Sequence, residues 1–219
     1  MPKKLQLETL SGKAYLEIRK ALMTGRFVPG DPLVIRTLAE TYGISATPMR
    51  DALQRLVAEK SLEVLANRTI AVPHLTPDKF VELRRIRTAL EGLAAELALA
   101  SLGTKEIDRL DALIADMDTD IADNDVHSYL AHNKVFHFHL YARAHSPLLL
   151  QLIENLWTQV GPFLNSLFES SCYLPHANEH HRHILAAVRR RNGAMVRRAM
   201  AQDIEAAGEA LMQKLRNNE

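Results

Sequence analysis

The chain has 219 residues, and its hydrophobic content of 47% is ample for a buried core. Lysine and arginine number 27 against 26 aspartates and glutamates, so the net charge of +1 excludes a strongly basic or strongly acidic chain. Residues 1–75 hold 11 basic and 7 acidic side chains, whereas residues 76–219 hold 16 and 19. This distribution is a modest indication that the N-terminal part contacts nucleic acid.

The number of cysteines and the N-terminal sequence indicate the cellular compartment in which the protein is expected. Cys172 is the only cysteine and has no partner for an internal disulfide, which is typical of a reducing compartment. The opening MPKKLQLETL lacks the apolar run of a secretion signal, and no uncharged apolar stretch is long enough to span a bilayer. The sequence therefore predicts a soluble, cytoplasmic protein without membrane association.

Closely spaced glycines and prolines divide the N-terminal third into short elements. Apolar residues at helical spacing predict one helix that ends near Gly25 and another in IRTLAETY. A third helix, in TPMRDALQRLVAEK, is predicted to begin with Thr47 as N-cap and Pro48 as its first residue. Two β-prone runs within residues 62–75 predict a hairpin. Three helices followed by a hairpin predict a winged helix-turn-helix domain over residues 1–75.

Every periodic segment after Thr76 has the spacing of a helix. Turn residues, including Gly103 and Pro175, mark the breaks between helices. The fold class is therefore mainly α, with the winged helix-turn-helix followed by an all-α antiparallel helical bundle over residues 76–219. The predicted helices of the bundle lie near 77–101, 105–122, 127–144, 148–169, 176–191 and 194–216.

The third helix of the N-terminal domain carries side chains suited to reading DNA. Its apolar stripe leaves Arg50 and Gln54, four residues apart, on the free face. Arginine and glutamine suit bidentate contacts with guanine and adenine edges in the major groove. Ser45 and Thr47 place hydroxyls and free backbone N–H groups at the helix start, which suits a DNA phosphate. The alternative is a solvated face in a winged-helix module that binds protein.

Polar residues point into the predicted core of the bundle. Counted at 100° per residue, Asn133 and His137 lie on the apolar face of one helix, His181 on that of another and Asp203 on that of the last. A buried carboxylate costs several kcal/mol unless it is paired or coordinated. Helical periodicity leaves two interpretations open, a shared metal ion or a hydrogen-bonded polar cluster.

A long N-terminal stretch resembles a known family. GRFVPGDPLVIRTLAETYGISATPMRDALQRLVAEKSLEVLANRTIAV is similar to the DNA-binding domain of the GntR family of bacterial transcription regulators, over about residues 10–75. Ala46 replaces the arginine that usually follows the serine of the turn, and Thr69 replaces a glycine of the wing. The resemblance implies DNA contacts by the arginines of two helices. The residues expected to contact double-stranded DNA are Arg36, Ser45, Thr47, Arg50, Gln54 and Arg68.

Two C-terminal segments carry a second resemblance. NKVFHFHLYARAHSPLL and EHHRHILAAV…RRAMAQDI are similar to the metal-site helices of the FCD-type ligand-binding domain of the FadR subfamily. This resemblance implies a divalent metal ion, such as zinc, nickel or manganese, and makes His132 and His139 bystanders. The implied ligands, with an aspartate in place of the family's last histidine, are Asn133, His137, His181 and Asp203.

Arg87 is the candidate effector-binding residue. It lies within the apolar arc of the helix predicted at 77–101, with Glu91 one turn further on. One interpretation is an ion pair between the two at the margin of that face. In the other, Arg87 lies inside the bundle beside the metal and clamps a carboxylate. The FCD resemblance implies such small organic-acid effectors, and reading a palindromic operator implies a homodimer. The regulator is expected to act as a repressor.

Two other functions remain open at this point. Two histidines and a carboxylate form the facial triad of non-haem iron oxygenases, so a metal-dependent enzyme is one alternative. The chain offers no obvious positioned base or nucleophile, and a DNA-reading domain has no use in a metabolic enzyme. The second alternative is a metal-stapled dimerisation module without an effector. The sequence therefore predicts a DNA-binding transcription regulator that is not an enzyme.

Overall fold

The computed structural model describes residues 9–169 and 176–217. Two features noted in the sequence, the single cysteine Cys172 and the helix break at Pro175, lie outside these residues. Within the two described ranges, no helix is both long enough and apolar enough to cross a membrane.

The N-terminal lobe, residues 9–75, contains three helices and a short hairpin around one hydrophobic core. Ile18 and Leu22 of the first helix and Met49 and Leu53 of the third are fully or almost fully buried in this core. Their spacing of four residues places each pair on one helix face. The lobe is a winged helix-turn-helix, as predicted. Its elements are α1 Leu10–Met23, α2 Ile35–Thr41, α3 Ala46–Ala58, β1 Glu63–Val64 and β2 Ile70–Ala71.

The hairpin is extended by the chain that precedes α2. β1 and β2 are antiparallel, with Val64 opposite Ile70. Pro32 forms a bridge with Ala71, and the backbone N–H of Leu33 donates to the carbonyl of Ile70 at 2.8 Å. These contacts attach the wing to the segment that leads into the helix-turn-helix.

The predicted start of α3 is wrong by two residues. Ser45, not Thr47, is the N-cap, so Pro48 is the third helical residue and not the first. Proline is tolerated there because the first N–H groups of a helix have no intrahelical acceptor to lose. The correction places the hydroxyl of Thr47 inside the first turn of the helix.

The described residues of the helical bundle, 77–169 and 176–217, form six α-helices, all of which the sequence predicts. Thr76 caps the first of them by accepting a hydrogen bond from the N–H of Lys79, and Pro77 is its first residue. Asp125 caps the third by accepting from the N–H of Ser128 at 3.0 Å. The helices are α4 Pro77–Ala98, α5 Thr104–Ala122, α6 Val126–Ala142, α7 Pro147–Val160, α8 Ala177–Arg189 and α9 Gly193–Asn217.

The most extensive contact between described helices of the bundle is that of α4 with α9. Gly92 faces the side chain of Arg197, and Gly208 faces that of Arg84. Since residue numbers rise along one helix as they fall along the other, the two helices are antiparallel. Glycine at these positions leaves room for the arginine stems that cross the contact.

One predicted helix, 148–169, is divided in two. The α-helical part ends at Val160, and Gly161–Glu169 continues as a 3₁₀ segment. Pro162 has no N–H to bond the carbonyl four residues earlier, so the α-helical ladder is interrupted there. Gly161 also lies against the backbone of Leu22 at the end of α1, where the N-terminal lobe meets the bundle.

Gly161→Ala is expected to destabilise the protein by about 1–3 kcal/mol through overpacking. An added Cβ would lie 2.3 Å from the carbonyl oxygen of Leu22. Gly12→Ala is the matched control, because its Cβ would meet only the hydroxyl of Thr9 at 3.3 Å. A change of about 1 kcal/mol or less is expected for the control. Urea unfolding measures both, and equal stability of the two variants would contradict the close contact.

Candidate DNA-binding surface and metal centre

The residues predicted to contact DNA share one property, their exposure. α3 buries Met49, Ala52, Leu53 and Leu56 and turns its other side to solvent. The turn between β1 and β2 holds Arg68 with a backbone φ of 65°, in the left-handed region. The exposed set comprises Arg36 on α2, Ser45 before α3, Thr47, Arg50 and Gln54 on α3, and Arg68 in the wing.

The three candidate arginines are free to bind phosphate or bases. Within the described part of the chain, Arg36, Arg50 and Arg68 form no ion pair with a carboxylate. Arg55, on the same helix as Arg50, instead bonds Glu59 at 3.0 Å and stacks over a tyrosine ring. The lobe therefore presents unpaired guanidinium groups at the start of α3 and in the wing.

The candidate metal centre joins three helices. His137 of α6, His181 of α8 and Asp203 of α9 are all buried, and their ligand atoms lie within 4.8 Å of one another. His137 Nε2 lies 3.4 Å from Asp203 Oδ2, and His181 Nε2 lies 3.7 Å from Asp203 Oδ1. Both imidazoles thus aim the same ring nitrogen at one carboxyl group.

A hydrogen bond on the side of the ring away from Asp203 sets the orientation of His181. Its Nδ1 lies 2.9 Å from the amide oxygen of Asn178, which can only accept, so Nδ1 carries the proton. The amide nitrogen of Asn178 in turn donates to Asp118 at 2.7 Å. With Nδ1 protonated by this series of hydrogen bonds, the lone pair on His181 Nε2 is directed at Asp203. Metal-binding histidines are commonly oriented in this way by a hydrogen-bond partner on the other ring nitrogen.

His137 is oriented in the same way by a different partner. Its Nδ1 lies 3.1 Å from the hydroxyl of Tyr141, and that hydroxyl donates to Glu91 at 2.5 Å. Burial and the Glu91 carboxylate raise the pKa of Tyr141 well above its usual value, so the hydroxyl keeps its proton. His137 Nδ1 is therefore the donor to Tyr141, and its Nε2 lone pair points at Asp203.

Burial perturbs the pKa of all three groups in the centre. It lowers the pKa of His181 to about 3 and that of His137 well below the usual range. It raises the pKa of the Asp203 carboxyl to about 7. Two uncharged imidazole nitrogens thus face a carboxyl group that resists ionisation without a nearby cation.

These donors fit a divalent metal ion. Metal–nitrogen and metal–oxygen bonds are about 2.0–2.2 Å, so neighbouring ligand atoms of one ion lie roughly 3–3.5 Å apart. The separations of 3.4 and 3.7 Å are close to this value. Imidazole and carboxylate ligands suit zinc, nickel and manganese alike.

A small cavity borders the centre. Its volume is about 30 Å³, which is room for roughly one or two water molecules. Asn133 of α6 lines it, one turn before His137, so its amide oxygen is the fourth candidate ligand. Arg87 and Asp203 line it as well.

The Arg87–Glu91 pair is present, but its predicted place at the margin of the helix face is wrong. Glu91 is completely buried, and it accepts from Arg87 Nε at 2.6 Å and Nη2 at 3.3 Å. Trp157 Nε1 donates to the same carboxylate at 3.0 Å, and the guanidinium lies 5.0 Å from the centre of its ring. Arg87 therefore belongs both to an internal ion pair and to the cavity wall.

Two predicted bystanders lie outside the centre. His132 bonds Asp120 at 2.7 Å, between α5 and α6. His139 is half-buried and lies near Arg143, whose charge adds to burial in lowering the pKa of the histidine.

Three partners of the centre were missed in the sequence, Tyr141, Trp157 and Asn178, whereas Glu91 was expected only as the partner of Arg87. Helical spacing gives a signal for two of them. Tyr141 follows His137 by four residues, and Asn178 precedes His181 by three, so each lies on the same helix face as its histidine. No such signal connects Trp157 with Glu91, which lie on different helices.

A winged helix-turn-helix joined to an all-helical domain is the architecture of a DNA-binding transcription regulator. Residues 10–72 match the family described as bacterial regulatory proteins, gntR family, and residues 82–206 match the FCD domain. The chain belongs to the GntR family and carries its FCD domain, which confirms both predicted resemblances.

Individual relatives agree with this assignment. The HTH-type transcriptional regulator McbR of Escherichia coli (strain K12) is 32% identical over 154 residues, 70% of each chain. The HTH-type transcriptional repressor GlaR of the same organism is 24% identical over 87% of this chain and 90% of its own. The solved structure of E. coli McbR/YncC is 28% identical in sequence and superposes with a TM-score of 0.88. The match covers 95% of this chain and 99% of the McbR/YncC chain. The prediction of a transcription regulator that is not an enzyme is confirmed.

His181→Ala is expected to abolish stoichiometric divalent metal, because it removes one of three converging donors. His180→Ala is the matched control, since the ring of His180 contacts that of His183 instead. Asn133→Asp is expected to tighten binding, because a carboxylate is a stronger ligand than an amide for hard cations. Elemental analysis after gel filtration and melting with added zinc, nickel or manganese provide the readouts. Equal metal content in the two histidine variants would show that the cluster is only hydrogen-bonded.

Metal affinity is expected to rise about tenfold per pH unit up to about pH 7 and then to level off. The apo-protein Asp203 carboxyl, with a pKa of about 7, holds a proton below that pH and must release it to bind metal. His181, with a pKa of about 3, is already uncharged there. Calorimetry with Ni²⁺ at several pH values measures the slope. Asp203→Asn has no such proton, so a slope that persists in that variant would contradict this assignment.

Proposed function

We propose that this regulator is a homodimeric repressor whose affinity for a palindromic operator is controlled by a small carboxylate bound beside a divalent metal in the helical bundle. The observation that carries the proposal is the pair of oriented, uncharged histidines facing Asp203. Such an arrangement leaves a buried carboxyl group in need of a cation. The cavity next to it contains Arg87, a group that recognises carboxylates.

The proposed DNA contacts rest on the geometry of the lobe. Arg50 and Gln54 lie on the exposed side of α3, where a recognition helix meets base edges. Ser45 and Thr47 lie at the start of the same helix, where N–H groups favour a phosphate. Two copies related by a two-fold axis match the two halves of a palindrome, which supports a homodimer.

The proposed metal ligands are Asn133, His137, His181 and Asp203. A divalent ion held by them would neutralise Asp203 and offer a Lewis-acidic position to an anionic oxygen. Arg87 uses two of its five N–H groups on Glu91, so donors remain for a second carboxylate. A ligand that reaches both groups is a small acid with one carboxylate and a further oxygen donor.

A metal-stapled module without an effector is the second candidate. The cavity volume of about 30 Å³ favours it, because a metabolite does not fit unless the walls move. The satisfied Arg87–Glu91 pair points in the same direction, since the arginine needs no further anion. The two functions differ in whether any carboxylate binds with Arg87 dependence.

Arg50→Ala is expected to lose about 1–3 kcal/mol of discrimination at one base pair in each half-site if the arginine contacts a base edge. If it contacts phosphate, binding weakens evenly across sequences and the salt dependence falls. Arg55→Ala is the matched control, because it removes an equal charge from the opposite side of α3. Fluorescence anisotropy with duplexes enriched by the wild-type protein from a random pool gives both quantities. If Arg50→Ala behaves like Arg55→Ala, α3 does not read DNA through Arg50.

Arg87→Ala is expected to weaken the best-binding carboxylate at least about tenfold, because a buried, charge-assisted contact is lost. Arg84→Ala is the control, since Arg84 lies on the same helix against Gly208 and away from the cavity. Calorimetry with a panel of small carboxylates and sugar acids on the metal-loaded protein provides the measurement. Unchanged binding in Arg87→Ala would contradict the clamp, and no binding by any acid would favour the module without an effector.

A further inference from the structure

α7 and the 3₁₀ segment, residues 147–169, contact the N-terminal lobe with one face and the core of the bundle with another. Residues that contact the N-terminal lobe recur every three or four positions, at Glu154, Thr158, Gly161 and Asn165. Residues of the bundle core recur one position earlier, at Ile153, Trp157, Val160 and Leu164. Each face is the stripe expected of a helix, and the two stripes are adjacent on one backbone.

The lobe-facing stripe includes a buried hydroxyl pair. Ser61 Oγ lies 2.5 Å from Thr158 Oγ1, and neither side chain is more than 1% exposed. Thr158 donates its own proton to the carbonyl of Asn155 at 2.7 Å, so Ser61 is the donor in the pair. Ser61 lies three residues after the end of α3, and its N–H donates to the carbonyl of Leu56 in that helix. The end of the proposed recognition helix is thus bonded to α7.

Three more contacts hold the lobe to the same stripe. Arg19 of α1 pairs with Glu154. Asn165 donates from its amide nitrogen to the carbonyl of Gly25. Gly161 lies against the end of α1, and Met23 from that end is buried in the core of the bundle. A shift along α7 therefore changes its contacts with the lobe.

The other stripe forms part of the metal and effector site. The ring of Trp157 lies 5.4 Å from that of His137, centre to centre, and its Nε1 donates to Glu91. Leu164 and Leu167 of the 3₁₀ segment line the small cavity together with Asp203. Any occupant larger than the cavity of about 30 Å³ must displace part of this lining. Any change in the position of His137 alters its contact with Trp157.

The geometry points to residues 147–169 as the element that transmits occupancy of the metal and effector site to the DNA-binding lobe. This inference rests on the proposed function and specifies which residues connect the metal and effector site to the DNA-binding lobe. Trp157 and Thr158 are consecutive, so a displacement of one at the site moves the other at the lobe. Close-packed contacts of this kind have discrete arrangements and do not deform continuously, which suits them to switching.

The test uses Trp157, the only tryptophan of the chain, as a reporter of the site. Ni²⁺ is titrated into full-length protein and followed by tryptophan emission, with and without a duplex that the wild-type protein has enriched from a random pool. Because coupling is reciprocal, the duplex changes the affinity for Ni²⁺ by the same factor as Ni²⁺ changes the affinity for the duplex. For the wild type we expect a factor of about 5 to 150, the usual range.

Thr158→Val and Ser61→Ala are expected to bring this factor close to one without changing the affinity for Ni²⁺ in the absence of DNA. Thr158→Ser keeps the hydroxyl and is expected to keep the coupling. Ser166→Ala is the matched control, because among the described residues Ser166 bonds only the carbonyl of Phe163, within the 3₁₀ segment. Gly161→Ala tests the stripe at a second position and is expected to reduce the factor as well.

Two kinds of failure are distinguishable. If the wild type shows coupling and Thr158→Val, Ser61→Ala and Gly161→Ala retain it, the transmitting role of residues 147–169 is wrong and the proposed function stands. If the wild type binds both Ni²⁺ and the duplex but neither changes the affinity for the other, the proposal that this site controls DNA binding is wrong. The route through residues 147–169 is then wrong as well. If the wild type binds no duplex or no metal, the proposed function itself fails and the route with it.

Discussion

The buried carboxylate of Glu91 is the constraint on which the centre of the bundle depends. It accepts hydrogen bonds from Arg87 on its own helix, from Tyr141 on α6 and from Trp157 on α7. A fully buried ion is costly unless its oxygens are satisfied, and here four donors satisfy them. Three helices are held together by this one group. Through Tyr141 it also fixes the ring nitrogen that His137 presents to Asp203.

The two buried carboxyl groups have different roles because one arginine lies between them. Glu91 takes the guanidinium of Arg87 in a bidentate pair, while Asp203 has only a longer-range attraction to the same charge. Burial therefore dominates at Asp203 and raises the pKa of its carboxyl to about 7. The uncharged histidines beside it supply lone pairs and no positive charge. The negative charge of ionised Asp203 is therefore not balanced by a direct partner, and a proton or a bound cation can balance it.

The sequence predicts the polar centre better than its surroundings, and helical periodicity explains the difference. A helical wheel identifies which residues face the core, so His137, His181 and Asp203 could be grouped although they lie on three helices. A wheel gives no rotation of one helix against another, so the contact of Trp157 with Glu91 was not predictable. The break at Gly161 was missed because Pro162 follows a long apolar run that is still helical in pattern. Exposure of Arg50 followed from the apolar stripe of α3, but exposure does not reveal which groups of DNA it contacts.

The two proposed occupants act on the same segment through different side chains. A metal ion would be held in part by His137, whose ring lies 5.4 Å from that of Trp157. A carboxylate is larger than the cavity, so it would displace part of a lining that includes Leu164. Only an occupant that interacts differently with two arrangements can shift the balance between them. Both proposed occupants would meet this condition at Trp157 or Leu164, which lie on the backbone that bears Thr158 and Gly161. In the proposed dimer, the sign of regulation therefore depends on which displacement brings the two recognition helices to the spacing of the operator.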